Sequence, residues 1–361
     1  MMTSRQRLIS TFTGEKPDCV PVAPLMDGFD AKMAGKPIHM LHWTEKIKAA
    51  EAVGLDLFLN IEASMPDEVK AAWKKQDLGV FDGTLRYRET IKTPFGEITR
   101  VIQESLTGIP WVLEYPIKSK ADFKAFEYVL DWIGSIGEAP SVVSEAAKGI
   151  GESGVVSTWI NIPLELHGWM ERAETMMFAM EDTETMDSLV EKMWNGQLMI
   201  AKSLLEKGSD VILMGVPGTE LTSPSLYRKY VVPYAKEIVN LVKSRGKWSY
   251  IHSCGKIQNL LNEISEIHPT IFETFSPPPE GDTLDIAATR DIIGRDIVAK
   301  GNMNLTFLQN STPEEVYTAG QEIIRKAGAD RFVLSVADVL LGCHPRENVE
   351  ALVKAGHDFK P

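Results

Sequence analysis

The sequence predicts a (β/α)8 TIM barrel, and three observations carry that expectation. Eight short apolar or β-branched runs punctuate the chain, at 20–25, 55–61, 155–160, 210–216, 248–252, 270–275, 296–301 and 332–335. Strand-like and helix-like patterns alternate between them rather than segregating into halves, which is the signature of an α/β fold. The stretch 224–244, for example, places Leu226, Tyr230, Val231, Tyr234, Ile238 and Leu241 at helical spacing. Finally, 361 residues suit one barrel with insertions. An open doubly wound sheet is the alternative, but no Gly-x-Gly-x-x-Gly follows a strand to support a dinucleotide fold. The chain is therefore read as a single barrel domain over 1–361.

Catalytic residues of such barrels sit where strands end at the C-terminal face, so the residues just past each run are the candidates. Strand one leads to Asp27, and strand two closes on Asn60 and Glu62. An excursion over 82–118 then breaks the rhythm. Leu85, Tyr87, Glu89 and Ile91 alternate between turn signals at Thr93-Pro94-Phe95-Gly96 and Thr107-Gly108-Ile109-Pro110. This reads as an antiparallel hairpin or small sheet. It is either a lid presenting Arg86, Tyr87, Arg88 and Trp111 to the mouth or a solvated surface hairpin. Strand three leads to Trp159, Asn161 and Glu165, and strand four to Thr219 and Glu220. Strand five ends on His252 and Cys254, strand six holds Glu273, strand seven leads to Asn302, and strand eight to Asp338 and Cys343. Helix capping alone accounts equally well for Asp27, Thr219 and Asn302. Pro277-Pro278-Pro279 stiffens a loop after strand six.

Composition narrows the function classes. Three cysteines in a chain with no secretory pattern imply a reducing, cytoplasmic setting rather than a disulfide framework. No apolar run reaches the ~18 residues of a membrane span. A net charge of −12 without a dense Lys/Arg block argues against nucleic acid, whose binding rests on phosphate neutralisation.

His252-Ser253-Cys254-Gly255 is the sharpest feature. Residues two apart on an extended strand project to one side, so an imidazole and a thiolate would point together into the mouth as zinc ligands. A buried structural His beside an inert Cys would spell the same letters. Glu273 and Cys343 are candidates to extend the ligand set. His39, His42, His268, His344 and His357 are expected at the surface.

Taken together, these residues resemble the uroporphyrinogen decarboxylase superfamily, and within it the zinc-dependent corrinoid methyltransferases. The likeness runs nearly end to end. It includes Arg5-Gln6-Arg7-Leu8-Ile9-Ser10, Gly14-Glu15-Lys16-Pro17-Asp18, Ser223-Pro224-Ser225-Leu226-Tyr227, Ile251-His252-Ser253-Cys254-Gly255, Pro277-Pro278-Pro279-Glu280-Gly281-Asp282, Lys300-Gly301-Asn302 and Pro345-Arg346-Glu347-Asn348-Val349. The decarboxylases of that superfamily grip tetrapyrrole carboxylates with an arginine after strand one, where this chain has Pro24-Leu25-Met26-Asp27-Gly28-Phe29.

The methyltransferase resemblance implies Zn2+ held by His252 and Cys254, with Cys343 and Glu273 completing the set. Gapless alignment from Glu347-Asn348 instead puts Asp338 at the position of the last cysteine. Among the residues near the strand ends, Asp27, Asn161 and Asp338 are the catalytic candidates, and Asn60, Trp159 and Asn302 the candidate substrate contacts. The expected activity is methyl transfer from a small methylated compound, foremost a methoxylated aromatic, to the Co(I) of a corrinoid (cobalamin) carried by a separate, transiently bound protein. Transfer from a methylcorrinoid to a thiol such as coenzyme M is the alternative, and a non-catalytic ligand-binding barrel the next. A homodimer is compatible with the same residues.

Overall fold

The computed structural model describes residues 1–104, 110–166, 168–216, 218 and 222–361. Thr219, Glu220, the side chain of Glu165 and the turn at 107–109 thus lie outside the described residues.

Seven parallel strands form one sheet in the order β2 (Leu57–Glu62), β7 (Gly154–Asn161), β8 (Val211–Gly215), β9 (Trp248–His252), β10 (Ile271–Glu273), β11 (Val298–Met303) and β12 (Phe332–Val336). The expected first strand is mostly irregular, with β1 confined to Leu25–Met26, where it pairs with β13 (Val339–Leu340). Pro21 and Pro24 remove ladder donors there, and proline does not continue a regular strand. The segment nevertheless joins both sheet edges. The Leu334 amide donates to Pro21 O at 2.9 Å, the Ala23 amide to Leu334 O at 3.0 Å, and the Asp56 amide to Val22 O at 2.8 Å. The ring is thereby closed.

Two apolar clusters sort by strand alternation. Leu59, Val156, Ile212, Ile251, Phe272, Ala299 and Leu334 face outward into the layer beneath the helices. Phe58, Val155, Leu213, Tyr250, Ile271, Val298 and Val333 face inward. Leu8 and Phe12 of the N-terminal helix Ser4–Thr13 join the inner set. Phe12 packs 5.7 Å from the Phe58 ring and 5.4 Å from Trp248. That helix is held by Arg5, which grips both oxygens of Asp210 at 2.7 and 2.8 Å, and by Arg7 between Asp18 and Asp56. The N-terminal end of the barrel is therefore plugged, and access is from the opposite end.

Between β2 and β7 lies an antiparallel sheet of β3 (Lys74–Phe81), β4 (Thr84–Thr93), β5 (Gly96–Glu104) and β6 (Trp111–Glu114). It begins at Lys74 rather than Asp82. The added strand, Lys-Lys-Gln-Asp-Leu-Gly-Val-Phe, is exposed along nearly its whole length, and its register shifts between Asp77 and Gly79. With no buried face it carries no alternation to read. The helical pattern at 224–244 resolves into two helices, Pro224–Tyr230 and Val232–Ser244. Pro233 lacks an N–H and clashes with the preceding turn, so it belongs in the first turn of a new helix.

Candidate metal centre

Along β9 the residues Trp248, Tyr250 and His252 alternate inward, and His252 is the last of them before the mouth. Beyond the strand, Cys254 continues to the same side, followed by Gly255 at φ 81°, a left-handed turn that glycine makes without strain. From across the barrel, β12 ends and the chain turns through Ala337-Asp338 before pairing with β1. The Ser276 hydroxyl donates to Ala337 O at 2.5 Å, which fixes this turn over the mouth. Asp338 Oδ1 thus comes within 3.3 Å of His252 Nε2. One donor atom each from His252, Cys254 and Asp338 lies within 4.8 Å of the others, and among the described residues this is the one group of three or more such ligands.

Glu273 sits elsewhere than the ligand set inferred from resemblance. The register pairs it with His252 on one side and Lys300 on the other, so the three side chains form a row across β9, β10 and β11. Its Oε1 lies 2.7 Å from His252 Nδ1, and its other oxygen is held by the Lys300 ammonium. Lys300 also donates to the Tyr250 hydroxyl at 2.9 Å. The carboxylate accordingly occupies the nitrogen of His252 that faces away from Asp338. That arrangement fixes the tautomer and leaves Nε2 as the donor at the mouth, as partners behind metal-binding histidines do.

Cys343 is exposed and outside the triad. The reason is local. Pairing of β13 with β1 leads the chain along the rim, where the Asp27 amide donates to Leu340 O at 3.0 Å. His344 is then anchored inward, its Nδ1 accepting from the Leu341 amide at 2.9 Å and its carbonyl from Lys32 at 2.9 Å. With His344 buried, 1% exposed rather than on the surface as its sequence position suggested, the Cys343 side chain turns to solvent.

The electrostatics suit a cation. Burial opposes an imidazolium at His252, yet hydrogen bonds to Asp338, Cys254 and Glu273 outweigh it and hold the ring's pKa well above its ordinary value. A proton here occupies ground that a metal ion would take. Burial alone would push Glu273 up, but Lys300 and His252 bring its carboxyl below the usual range. At Asp27, burial pushes the carboxyl up to about 6, with Lys46 opposing and Asp30, Glu62 and Asp338 adding to the rise.

The remaining candidates surround this group. Trp159 stands with its ring 5.9 Å from the His252 imidazole and donates through Nε1 to Asn161 Oδ1 at 3.2 Å. The indole lies where Gly215 leaves room, since a Cβ there would fall 2.0 Å from Trp159 Cζ2. Among the described residues Asn60 Oδ1 is buried with no hydrogen-bond partner, while Asn302 Nδ2 donates to Phe275 O at 2.9 Å. Phe275 is fully buried edge-on to Phe272, and Trp111 is 68% exposed on β6. In the inserted sheet, Arg86 donates to Gln103 at 2.8 Å and Tyr87 is buried beneath Lys75.

Two residues join the site without having been read as functional from the sequence, Lys300, quoted only within the motif Lys300-Gly301-Asn302, and Tyr250. A lysine at the inward position two after Val298, and a tyrosine two before the histidine, are the signals that mark them.

The donor set of one imidazole, one thiolate and one carboxylate, with a side open to the mouth, fits zinc. Known proteins agree with the architecture. The chain is 26% identical over 289 residues to the methylcobamide:CoM methyltransferase MtbA of Methanosarcina mazei, covering 75% of this chain and 80% of that one. It is 24% identical over 200 residues to a methylated-thiol–coenzyme M methyltransferase of the same organism, covering 54% and 51%. A solved methyltransferase from Methanosarcina mazei superposes with a TM-score of 0.69 over 99% of both chains at 18% identity, which supports the fold. Residues 103–359 match the uroporphyrinogen decarboxylase (URO-D) family, well over half of the sequence, and the chain belongs to that family.

Proposed function

We propose that this chain is a zinc-containing, corrinoid-dependent methyltransferase that takes a methyl group from a small methylated compound, foremost a methoxylated aromatic, and delivers it to the Co(I) of a separate corrinoid protein. The class of reaction rests on the relatives, which are named for methyl transfer from methylcobamide. The choice of substrate rests on one observation, the third donor of the triad. It is the carboxylate of Asp338 rather than a second thiolate, and a harder donor set suits an oxygen leaving group better than a sulfur one.

When bound, zinc supplies Lewis-acid stabilisation to the charge that develops on the departing oxygen. The chain's own residues do the rest. His252 presents Nε2 because Glu273 occupies Nδ1. Trp159 offers an aromatic face beside the imidazole, and Asn60 an unpartnered buried carbonyl oxygen that accepts a hydrogen bond. With its pKa near 6, Asp27 is placed to exchange a proton with a phenol product near neutral pH. The corrinoid protein docks transiently over the open end of the barrel, since the other end is filled by Leu8 and Phe12.

Transfer to a thiol is the second reading, favoured by the coenzyme M methyltransferases among the relatives. Coenzyme M carries a sulfonate, which the carboxylates of Asp27, Glu62 and Asp338 disfavour and the ammonium of Lys46 favours. Mixing the protein with a Co(I) corrinoid protein and a panel of methoxyarenes, methanol and methylamines separates the readings. Formation of methyl-Co(III) with a methoxyarene supports the proposal. Demethylation of methyl-Co(III) by coenzyme M, with no methoxyarene active, overturns it in favour of the thiol reaction.

A further inference from the structure

Lys300 and Glu273 are both 0% exposed and lie opposite one another in adjacent strands, Lys300 inside β11 and Glu273 at the end of β10. Just below them the inner layer of the barrel is apolar, built from Phe58, Tyr250, Ile271 and Val298. Nothing in the packing of that layer calls for an ion pair one step higher. A buried pair is in general a poor source of stability compared with apolar residues of the same size, so its position needs another explanation. The pair lies at the level of His252, and the ammonium is held on three sides. Besides Glu273, it contacts the Tyr250 hydroxyl at 2.9 Å and stands 5.5 and 5.2 Å from the Phe58 and Tyr250 ring centroids.

The consequence falls on Glu273. One oxygen accepts from His252 Nδ1 and the other from Lys300, so both are drawn to the side of the imidazole away from Asp338. Without the ammonium, that second oxygen would be a strong acidic donor one strand from the triad. We propose that Lys300 is a positioning residue for the metal centre: by holding Glu273 on Nδ1 of His252, it keeps this carboxylate off the metal and leaves the coordination position toward the mouth for substrate. The proposal rests on the reading of His252, Cys254 and Asp338 as metal ligands. Lys300 touches neither substrate nor metal and acts through Glu273.

The test is cobalt(II) substitution with azide as a probe of the open position. Wild-type protein is expected to show the intense visible bands of a four-coordinate ion and to bind azide. In Lys300→Met, Glu273 joins the ion, the bands weaken toward a five-coordinate spectrum, and azide affinity falls at least about tenfold. Glu273→Gln added to Lys300→Met restores azide binding. Lys300→Gln, which keeps a neutral donor, shifts both readouts in the same direction and serves where the methionine variant does not fold. In metal-free protein, the ring 15N shifts of His252 are expected to move in either variant. Unchanged spectra and azide affinity in variants that take up cobalt normally overturn the role of Lys300 alone. Failure of folded wild-type protein to bind cobalt overturns the metal centre, and the role of Lys300 with it.

Discussion

Replacing Asp338 with alanine is expected to weaken zinc binding about 100-fold, whereas Cys343→Ser leaves it within about twofold. The magnitude comes from the donors present. Free energies of about 12 kcal/mol for a structural zinc site with four protein donors assign ~3 kcal/mol to each donor, and ~1.4 kcal/mol is a factor of ten. Asp338 Oδ1 lies 3.3 Å from His252 Nε2 and within the 4.8 Å group, while Cys343 faces solvent. Competition with a chromophoric chelator at fixed pH measures the affinities. Asp338→Asn keeps a neutral oxygen in place and is expected to fall between wild type and alanine, at about tenfold weaker. Asp338→Cys offers a softer donor at the same position and is expected to strengthen the thiolate-to-metal absorption of the cobalt-substituted protein. Loss of as much zinc in Cys343→Ser as in Asp338→Ala would overturn the assignment of Asp338. That outcome would mean the rim rearranges on metal binding and draws Cys343 inward, against the anchoring of His344.

Two further outcomes test the surroundings. Gly215→Ala puts a Cβ 2.0 Å from Trp159 Cζ2, so the indole must move at a cost of about 1–3 kcal/mol; Trp fluorescence should shift and substrate KM rise more than kcat falls, and an unchanged spectrum sinks the packing argument. At the plugged end, burial works upward on Asp18, but hydrogen bonds from Arg7 and the Met2 amide bring its carboxyl down to about 2. A depressed carboxylate stabilises the fold above its unfolded value near 3.9 and loses that contribution as pH falls through about 2. The side chain is 26% exposed, so solvent screening leaves ~1–2 kcal/mol of the full linkage. Urea unfolding should therefore show Asp18→Asn less stable by that amount at pH 7, the gap closing toward pH 2; a gap independent of pH contradicts the ion pair.

How much of the molecule was legible in the chain depends on whether the signal was local. Strand interiors such as 155–160 and 210–216 are runs of apolar residues because both faces of a parallel strand are buried, and a run of that kind is visible in one dimension. The His252-Ser253-Cys254 pair was legible for a similar reason, since two-residue spacing on a strand end sets direction by itself. The edge strand at 74–81 was not, because an exposed strand has no buried face to mark it. The irregular first strand was a matter of Pro21 and Pro24 outweighing an apolar run.

The barrel, the pairing of His252 with Cys254 and the family likeness could all be read from the order of residues, since each depends on periodicity or on contiguous letters. The choice between Asp338 and Cys343 belongs to the folded chain, because it depends on how β13 pairs with β1 and where His344 is buried. So does the placement of Glu273 behind His252 rather than in the group with Cys254 and Asp338. The register aligns His252, Glu273 and Lys300 across three strands. Register is a relation between segments tens of residues apart, set when the sheet closes, and no single stretch of the chain contains it.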